Sequence, residues 1–134
     1  MSFEPVKLAE PAYAELVTTS NFSFLRGGSH PEELVVRAMA SGMTGLGLCD
    51  RNTFSGVVRG YGTARDNKEM SPHFRYLVGV RLAFADGTPD IIAYPTNRLA
   101  YGRLCKLLTV ANRRGEKGNP QLLLGDLFGS SAPV

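Results

Sequence analysis

The sequence has few of the residues that build disulfide frameworks and metal sites. It contains two cysteines, Cys49 and Cys105, and two histidines, His30 and His73, among 134 residues. The cysteines match neither a disulfide framework nor a metal-ligand spacing, so we expect reduced, buried thiols and a cytoplasmic protein. The two histidines lie far apart in the chain, and with a single strand-end aspartate they do not make a recognisable metal set.

Long apolar runs are also missing. No stretch approaches the roughly 18 apolar residues that a membrane span needs, and the first residues carry two acids without an apolar core, which excludes a signal peptide. A hydrophobic fraction of 43% and a charged fraction of 20% are typical of a soluble globular protein. The length predicts one domain. We expect residues 1–12 to form a loose leader and residues 13–134 to form the domain.

Acidic residues are scarce in one further segment. Between positions 98 and 117 there are six basic residues and one acidic residue, Glu116. A segment of this kind can contact a phosphate backbone or a protein partner, and the alternative is an ordinary solvated helix face. The basic residues are Arg98, Arg103, Lys106, Arg113, Arg114 and Lys117.

Apolar periodicity and turn signals predict the element order β-α-β-α-β-β-α. This order indicates an α/β domain whose first strands are mostly parallel, with a hairpin formed by "RYLVGVRLAF" and "DIIAYP". The glycines in "TGLGLCD" indicate close packing by a neighbouring backbone. Ser29 is the expected N-cap of the first helix, in a capping box with Glu32, and Thr96 is the expected cap of the last. Leu99 and Val110 are expected to face inward on that last helix.

Two loops follow the carboxyl ends of the first strands, where binding and catalytic residues are commonly found in α/β folds. Asp50 can bind a metal or act as a base, or it can cap the next helix or pair with Arg51. The loop after the first strand is a polar turn before a helix, which can hold a phosphate. Its two aromatic residues can stack on bases or plug the end of the fold. This turn contains Ser20, Asn21, Phe22, Ser23, Phe24, Gly27 and Gly28.

Several segments together resemble a known family. They are "ELVTTSNFSFLRGGSHPEELVVRAMASGMTGLGLCDRNTFSGVVRGY", "YLVGVRLAF" and "AYPTNRLAYGRLCKLLTVANRRGEKG". In order and spacing they closely resemble the N-terminal PHP (polymerase and histidinol phosphatase) domain of bacterial C-family DNA polymerase alpha subunits, of the error-prone branch used in translesion synthesis. The resemblance covers about residues 13–127. It implies a seven-stranded β/α barrel similar to a TIM barrel, so the chain is expected to be a partial PHP-type barrel.

The resemblance also implies a metal cluster, which in active relatives holds zinc, manganese or magnesium and hydrolyses phosphoesters. Most of its ligand positions are substituted here. The two histidines of the first strand correspond to Val17 and Thr19, and the aspartate of the second strand is retained as Asp50. A further histidine corresponds to Arg51, another corresponds to Tyr61, and the glutamate of the third strand corresponds to Arg81. We therefore expect a degenerate site without metal, cofactor or catalytic residues, in which Arg81 pairs with Asp50.

The resemblance leaves three functions open. The first is a PHP fragment of an error-prone DNA polymerase, in DNA replication and repair, with a structural or partner-docking role. The second is a metal-dependent phosphoesterase or 3′–5′ exonuclease, and the third is a nucleic-acid or protein adaptor using the basic segment. A βα unit takes about 30 residues, so the chain is expected to be a fragment, a truncated product or a piece of a split protein. Expected partners are DNA, the remaining polymerase domains, replication and repair proteins, and a second copy of the chain paired along an open strand edge.

Overall fold

The computed structural model describes residues 5–23 and 26–128 and forms a mixed α/β fold. One four-stranded sheet has the strand order β1–β2–β3–β4. The strands are β1 (Ala14–Thr18), β2 (Gly45–Arg51), β3 (Arg75–Leu82) and β4 (Ile91–Ala93). The helices are α1 (Pro31–Ala40), α2 (Val57–Asp66), α3 (Arg98–Arg114) and the single turn α4 (Leu124–Leu127). The predicted α/β class and element order are confirmed.

The first three strands are parallel, and α1 and α2 form the crossovers between them. The last two strands are antiparallel, with Val80 opposite Ala93. Both the parallel pairing and the hairpin were predicted from the order of the elements. Parallel pairing places the carboxyl ends of β1, β2 and β3 at the same edge of the sheet. The loops after β1 and β2 therefore meet there.

Strand β2 lies between β1 and β3, and one of its faces carries Gly45 and Gly47. Leu46 and Leu48 are buried on the face that packs against the helices. A Cβ atom at Gly47 would collide with the backbone carbonyl of Leu16 in β1. The close backbone approach that the glycines indicated is confirmed.

Two apolar clusters make the core. One joins α1 to β2 through Val35, Ala38, Met39 and Leu46. The other joins β3 to α3 and to Leu122, the residue that anchors the segment before α4. Its buried members are Val80, Leu82, Leu107, Leu108, Ala111 and Leu122.

Both predicted helix caps were wrong by one residue. Helix α1 begins at Pro31, so His30 is the N-cap and no side chain caps the helix there. Ser29 instead uses its backbone carbonyl to accept a hydrogen bond from the Asn21 N–H at 2.8 Å. In α3 the cap is Asn97, whose Oδ1 accepts from the Ala100 N–H at 2.8 Å. An asparagine is as good an N-cap as a threonine or better, so the adjacent Asn97 takes this role.

Residues 5–12 precede β1 without regular secondary structure. Their backbone is nevertheless attached to the domain at two points. The Val6 N–H donates to the Met70 carbonyl at 2.8 Å, and the Ala9 N–H donates to the Gly42 carbonyl at 2.9 Å. This part of the predicted leader therefore lies against the domain. The boundary at residue 12 stays a prediction.

Candidate functional site

Asp50 lies at the centre of the candidate site, at the carboxyl end of β2. Asp50 is 2% exposed. A buried carboxyl group is costly unless hydrogen bonds replace its water. The loop after β1 supplies them. The Ser20 N–H donates to Oδ1 at 2.7 Å, the Ser20 hydroxyl donates to Oδ2 at 2.6 Å, and the Ser23 hydroxyl donates to Oδ1 at 2.8 Å.

The two serine hydroxyls also accept hydrogen bonds from backbone N–H groups, and one of these bonds joins the loop after β1 to the end of β2. Ser23 Oγ accepts a hydrogen bond from the Arg51 N–H at 2.8 Å, and Ser20 Oγ accepts from the Phe22 N–H at 3.2 Å. Ser20 and Ser23 are both fully buried. Asp50 thus fastens the loop after β1 onto the end of β2. Sequence analysis treated the serines as a phosphate-binding turn and did not connect them with Asp50. A signal was available in the sequence. Two small polar residues follow β1, and β1 is parallel to β2, the strand whose end carries Asp50.

The expected pair between Arg81 and Asp50 was wrong. The Arg81 guanidinium lies 3.5 Å from the Asp90 carboxylate, in an exposed ion pair. The physical reason is strand geometry. Asp50 pairs in register with Val80, and Arg81 pairs with Arg51, so Arg81 and Asp50 point to opposite faces of the sheet. Asp50 faces the helices, and Arg81 and Arg51 lie side by side on the other face.

The remaining positions that the resemblance pointed to lie on β1, just beyond β1 and on α2. Val17 is 41% exposed on β1, and Thr19 is half-buried just beyond that strand. Tyr61 is 55% exposed on α2, where the Arg65 guanidinium lies 5.9 Å from its ring centroid. Strand register brings Arg51 and Arg81 together.

Within residues 5–23 and 26–128, no three histidine, cysteine, aspartate or glutamate side chains lie close enough to hold a metal ion. Cys49 is the nearest thiol along the chain to Asp50, and burial raises the pKa of that thiol. A thiol with a raised pKa is a poor metal ligand and a poor nucleophile at neutral pH.

The basic segment forms most of α3, and its exposed face carries two apolar residues. Leu99 is 66% exposed and Val110 is 39% exposed, so the expectation that they face inward was wrong. The inward positions are Leu107, Leu108 and Ala111, which pack against β3 and Leu122. Helical spacing places Leu99 and Val110 in a row with three exposed basic residues. We call this row the α3 stripe: Leu99, Arg103, Lys106, Val110 and Arg113.

Arg114 differs from the other basic residues because it serves the fold. Its guanidinium binds the Asp126 carboxylate with two hydrogen bonds, at 2.7 and 3.0 Å, and donates to the Gln121 carbonyl at 3.0 Å. The hydrogen bond from Arg114 lowers the pKa of Asp126. This clamp holds the end of α3 against α4. Arg98 and Lys117 are exposed, at the start of α3 and in the loop after it.

Phe24 lies outside the described residues, so the expectation that it stacks on bases or plugs the fold remains a prediction. Phe22 is half-buried, and the Arg59 guanidinium lies 5.5 Å from its ring centroid. None of the described helices is long and apolar enough to cross a membrane.

Comparison with known proteins gives consistent matches. The model of the PHP domain family matches residues 15–128. The error-prone DNA polymerase of Rhodopseudomonas palustris (strain BisA53) is 54% identical over 120 residues, which are 90% of this chain and 10% of that protein. The error-prone DNA polymerase of Bradyrhizobium diazoefficiens is 48% identical over 126 residues, which are 90% of this chain and 11% of that protein. The chain therefore spans about a tenth of the length of the curated relatives it matches.

Two solved structures share the fold. An amidohydrolase from Chromobacterium violaceum, whose structure contains sulfate and no metal, gives a TM-score of 0.60 at 24% identity and covers 77% of this chain and 34% of that one. A candidate metal-dependent phosphoesterase from Bifidobacterium adolescentis gives a TM-score of 0.52 at 20% identity and covers 78% of this chain and 36% of that one.

Proposed function

Because the chain belongs to the PHP domain family, we propose that it is the PHP module of a protein related to error-prone DNA polymerases, with a structural and partner-docking role and no hydrolytic activity of its own. The observation that carries this proposal is the state of Asp50. Its carboxyl oxygens accept three hydrogen bonds from Ser20 and Ser23, so the one retained ligand position is used to hold two loops together.

The side chains around Asp50 do not suit the metal cluster that the family implies. A cluster of divalent ions needs several carboxylate or imidazole ligands, because these must replace the water and offset the charge of the ions. The corresponding positions here offer an aliphatic chain, a hydroxyl, a phenol and two guanidiniums. Arg51 and Arg81 lie side by side on adjacent strands and would repel a cation. The residues present therefore do not fit a cluster of zinc, manganese or magnesium ions.

Metal analysis of the purified chain, followed by an assay of phosphoester turnover, tests this proposal. We expect far less than one equivalent of zinc, manganese or magnesium, and no turnover of a generic phosphodiester when each metal is added. Stoichiometric metal together with turnover would instead establish the alternative, a metal-dependent phosphoesterase or 3′–5′ exonuclease.

A docking role is supported by the α3 stripe. Leu99 and Val110 are exposed within a row of arginine and lysine, so this face offers both apolar contact area and positive charge to a partner. We propose that Arg98, the α3 stripe and Lys117 contact DNA or another domain of the polymerase. Arg114 is excluded from this surface because Asp126 occupies its guanidinium.

The docking surface can be tested by salt-dependent DNA binding. We expect an Arg103→Ala, Lys106→Ala and Arg113→Ala triple variant to bind duplex DNA more weakly and with a shallower dependence on salt, because about three phosphate contacts are lost. The matched control is Arg37→Ala, Arg65→Ala and Lys68→Ala, which removes the same charge from other exposed positions. Equal loss in both triple variants would show a general charge effect and contradict a defined surface.

Self-association and the partial-barrel architecture are also part of the proposal. Strand β1 is at the edge of the described sheet and pairs with β2 alone, while Leu16 and Val17 are exposed on it. An edge of this kind invites a further strand, from a second copy or from the rest of a barrel. Sedimentation should show concentration-dependent dimers, and a monomer at all concentrations would contradict pairing between copies. Cytoplasmic location stays a prediction.

A further inference from the structure

The α3 stripe has the spacing with which helices pack against one another. Its five members follow each other at steps of four, three, four and three residues along α3. Alternating steps of this kind keep side chains in one line along a helix, and they are the repeat of a two-helix seam. Leu99 and Val110 stand eleven positions apart in this line, which is about 16 Å along the helix axis. The exposed face of α3 therefore presents two apolar contact points within a straight row of cations.

The three cations of the stripe are available to a partner. Within the part of the chain that the structure describes, Arg103, Lys106 and Arg113 form no ion pair with a carboxylate. Helix α3 contains no acidic residue of its own. Arg114 is different, because Asp126 already binds its guanidinium. The row is thus positively charged without internal compensation, and carboxylates are the groups that complement it.

One flank of the α3 stripe is open to a neighbouring helix. Gly102 and Thr109 lie three or four residues from members of the stripe, and a Cβ atom built at Gly102 would meet no atom within 4 Å. The Thr109 hydroxyl donates to the Cys105 carbonyl at 2.9 Å, so it does not need a polar partner. Small side chains shorten the distance at which two helices can pack. The other flank is Leu107, which packs into the core.

These features favour a protein helix over a nucleic acid. Charged and polar groups make the contacts to phosphates, so a phosphate backbone would leave Leu99 and Val110 without a contact. A DNA-binding face also gains affinity from each added cation, yet the open flank carries glycine and threonine. An acidic amphipathic helix would use the apolar residues, the cations and the open flank together.

We propose that α3 packs along an acidic amphipathic helix of a protein partner, with the α3 stripe as the seam. The partner helix carries apolar side chains opposite Leu99 and Val110, and aspartate or glutamate opposite Arg103, Lys106 and Arg113. This inference rests on the docking role proposed above and deepens it, because it names the class of partner that the same surface binds.

An NMR titration of the isotope-labelled full chain tests the inference. The probe is a synthetic helical peptide of three heptads, with leucine at its a and d positions and glutamate at its e and g positions. One control peptide has lysine in place of glutamate. The other has the same composition, but its leucines are distributed around the helix. A short DNA duplex is titrated in parallel. Each titration gives a dissociation constant and identifies the amides whose signals shift.

The first variant removes the apolar contacts and keeps every charge. It is Leu99→Ala with Val110→Ala, both at exposed positions. The matched control is Val36→Ala with Val58→Ala, which removes exposed apolar side chains from α1 and α2 instead. Circular dichroism and thermal unfolding check that both proteins keep the fold.

The second variant blocks the open flank. Gly102→Gln adds a long neutral side chain where the partner helix would approach, and its Cβ atom meets no neighbour in the free chain. The matched control is Gly62→Gln on α2, where an added Cβ atom also meets no atom within 4 Å. Glutamine favours a helix more than glycine does, so neither change is expected to lower stability.

We expect the acidic peptide to shift amide signals along α3 and to bind roughly tenfold or more tightly than either control peptide. Leu99→Ala with Val110→Ala should lose roughly tenfold of that affinity, because methylene groups are removed from an apolar contact. Gly102→Gln should lose roughly fivefold or more, because the two helices can no longer approach closely. Both control variants should bind like the wild type.

Equal affinity for the glutamate and lysine peptides, or full affinity in both variants, would overturn the inference. The docking role fails with a different signature. DNA binding that the triple variant of the docking surface loses, without any shift by the acidic peptide, would overturn the helix partner and leave the docking surface in place. An absence of shifts on α3 with every probe would overturn both. Shifts on α3 that depend on protein concentration alone, and are lost in Leu99→Ala with Val110→Ala, would identify a second copy as the occupant and overturn a separate partner.

Discussion

Replacement of Asp50 by asparagine separates a structural role from a metal-binding role. The substitution keeps the volume but leaves one acceptor oxygen where three donors converge. At least one buried donor loses a charged acceptor, at a cost of about 1.5–3 kcal/mol for each such bond. The asparagine oxygen keeps the two donors at the Oδ1 position, and the Ser20 hydroxyl, which faces the other oxygen, can turn to accept from the new amide, so we expect a total loss of about 2–4 kcal/mol.

Thermal unfolding measures this loss. For a chain of this size, 1 kcal/mol corresponds to roughly 3–5 °C in Tm, so Asp50→Asn should unfold roughly 6–20 °C below the wild type. The matched control is Asp66→Asn, because Asp66 forms an exposed pair with Arg65 at 3.3 Å. Exposed pairs contribute about 0–1 kcal/mol, so the control should change Tm little.

The refuting result is specific. If Asp50 served as a metal ligand, the wild type would gain stability from added zinc or manganese, and its Tm in EDTA would equal that of Asp50→Asn. A wild-type Tm that depends on metal, with no difference between the two proteins in EDTA, would therefore contradict the structural role. A difference that persists in EDTA supports it.

Two further predictions concern stability. Asp126→Asn should lower the free energy of unfolding at pH 7 by about 1–2 kcal/mol, because it weakens the Arg114 clamp. The pKa of Asp126 is lowered in the folded state, so its contribution is complete above the unfolded pKa of about 4 and is lost as the pH falls through the lower folded value. Denaturant titrations should accordingly show the wild type and Asp126→Asn converging below about pH 4, and a constant gap down to strong acid would contradict the clamp. Gly47→Ala should destabilise the protein by roughly 2 kcal/mol or more in chemical denaturation. The new methyl group would collide with the Leu16 carbonyl and force β1 away from β2. The control Gly62→Ala, whose methyl group would meet no neighbouring atom within 4 Å, should be neutral or stabilising.

Much of the fold could be predicted from local patterns. The order of strands and helices, the parallel start, the hairpin and the close approach at Gly47 all follow from apolar periodicity and glycine placement. The helix caps were missed by one residue each, because Ser29 and Thr96 stand beside His30 and Asn97 and the pattern does not choose between neighbours.

The candidate site was predicted less well, because its contacts join residues distant in the chain. Asp50 was identified from its place at a strand end, but its partners Ser20 and Ser23 come from another loop. The proposed pair with Arg81 was wrong because neighbouring residues on a strand point to opposite faces.

The sequence by itself determined the family and the α/β class, because these depend on residue identity and spacing along the chain. Only the tertiary structure decided which groups satisfy Asp50 and which basic residues remain exposed. The physical reason is that hydrogen bonding and charge act over a few ångströms in space, and parallel crossovers bring together residues that the chain keeps 25 or more positions apart.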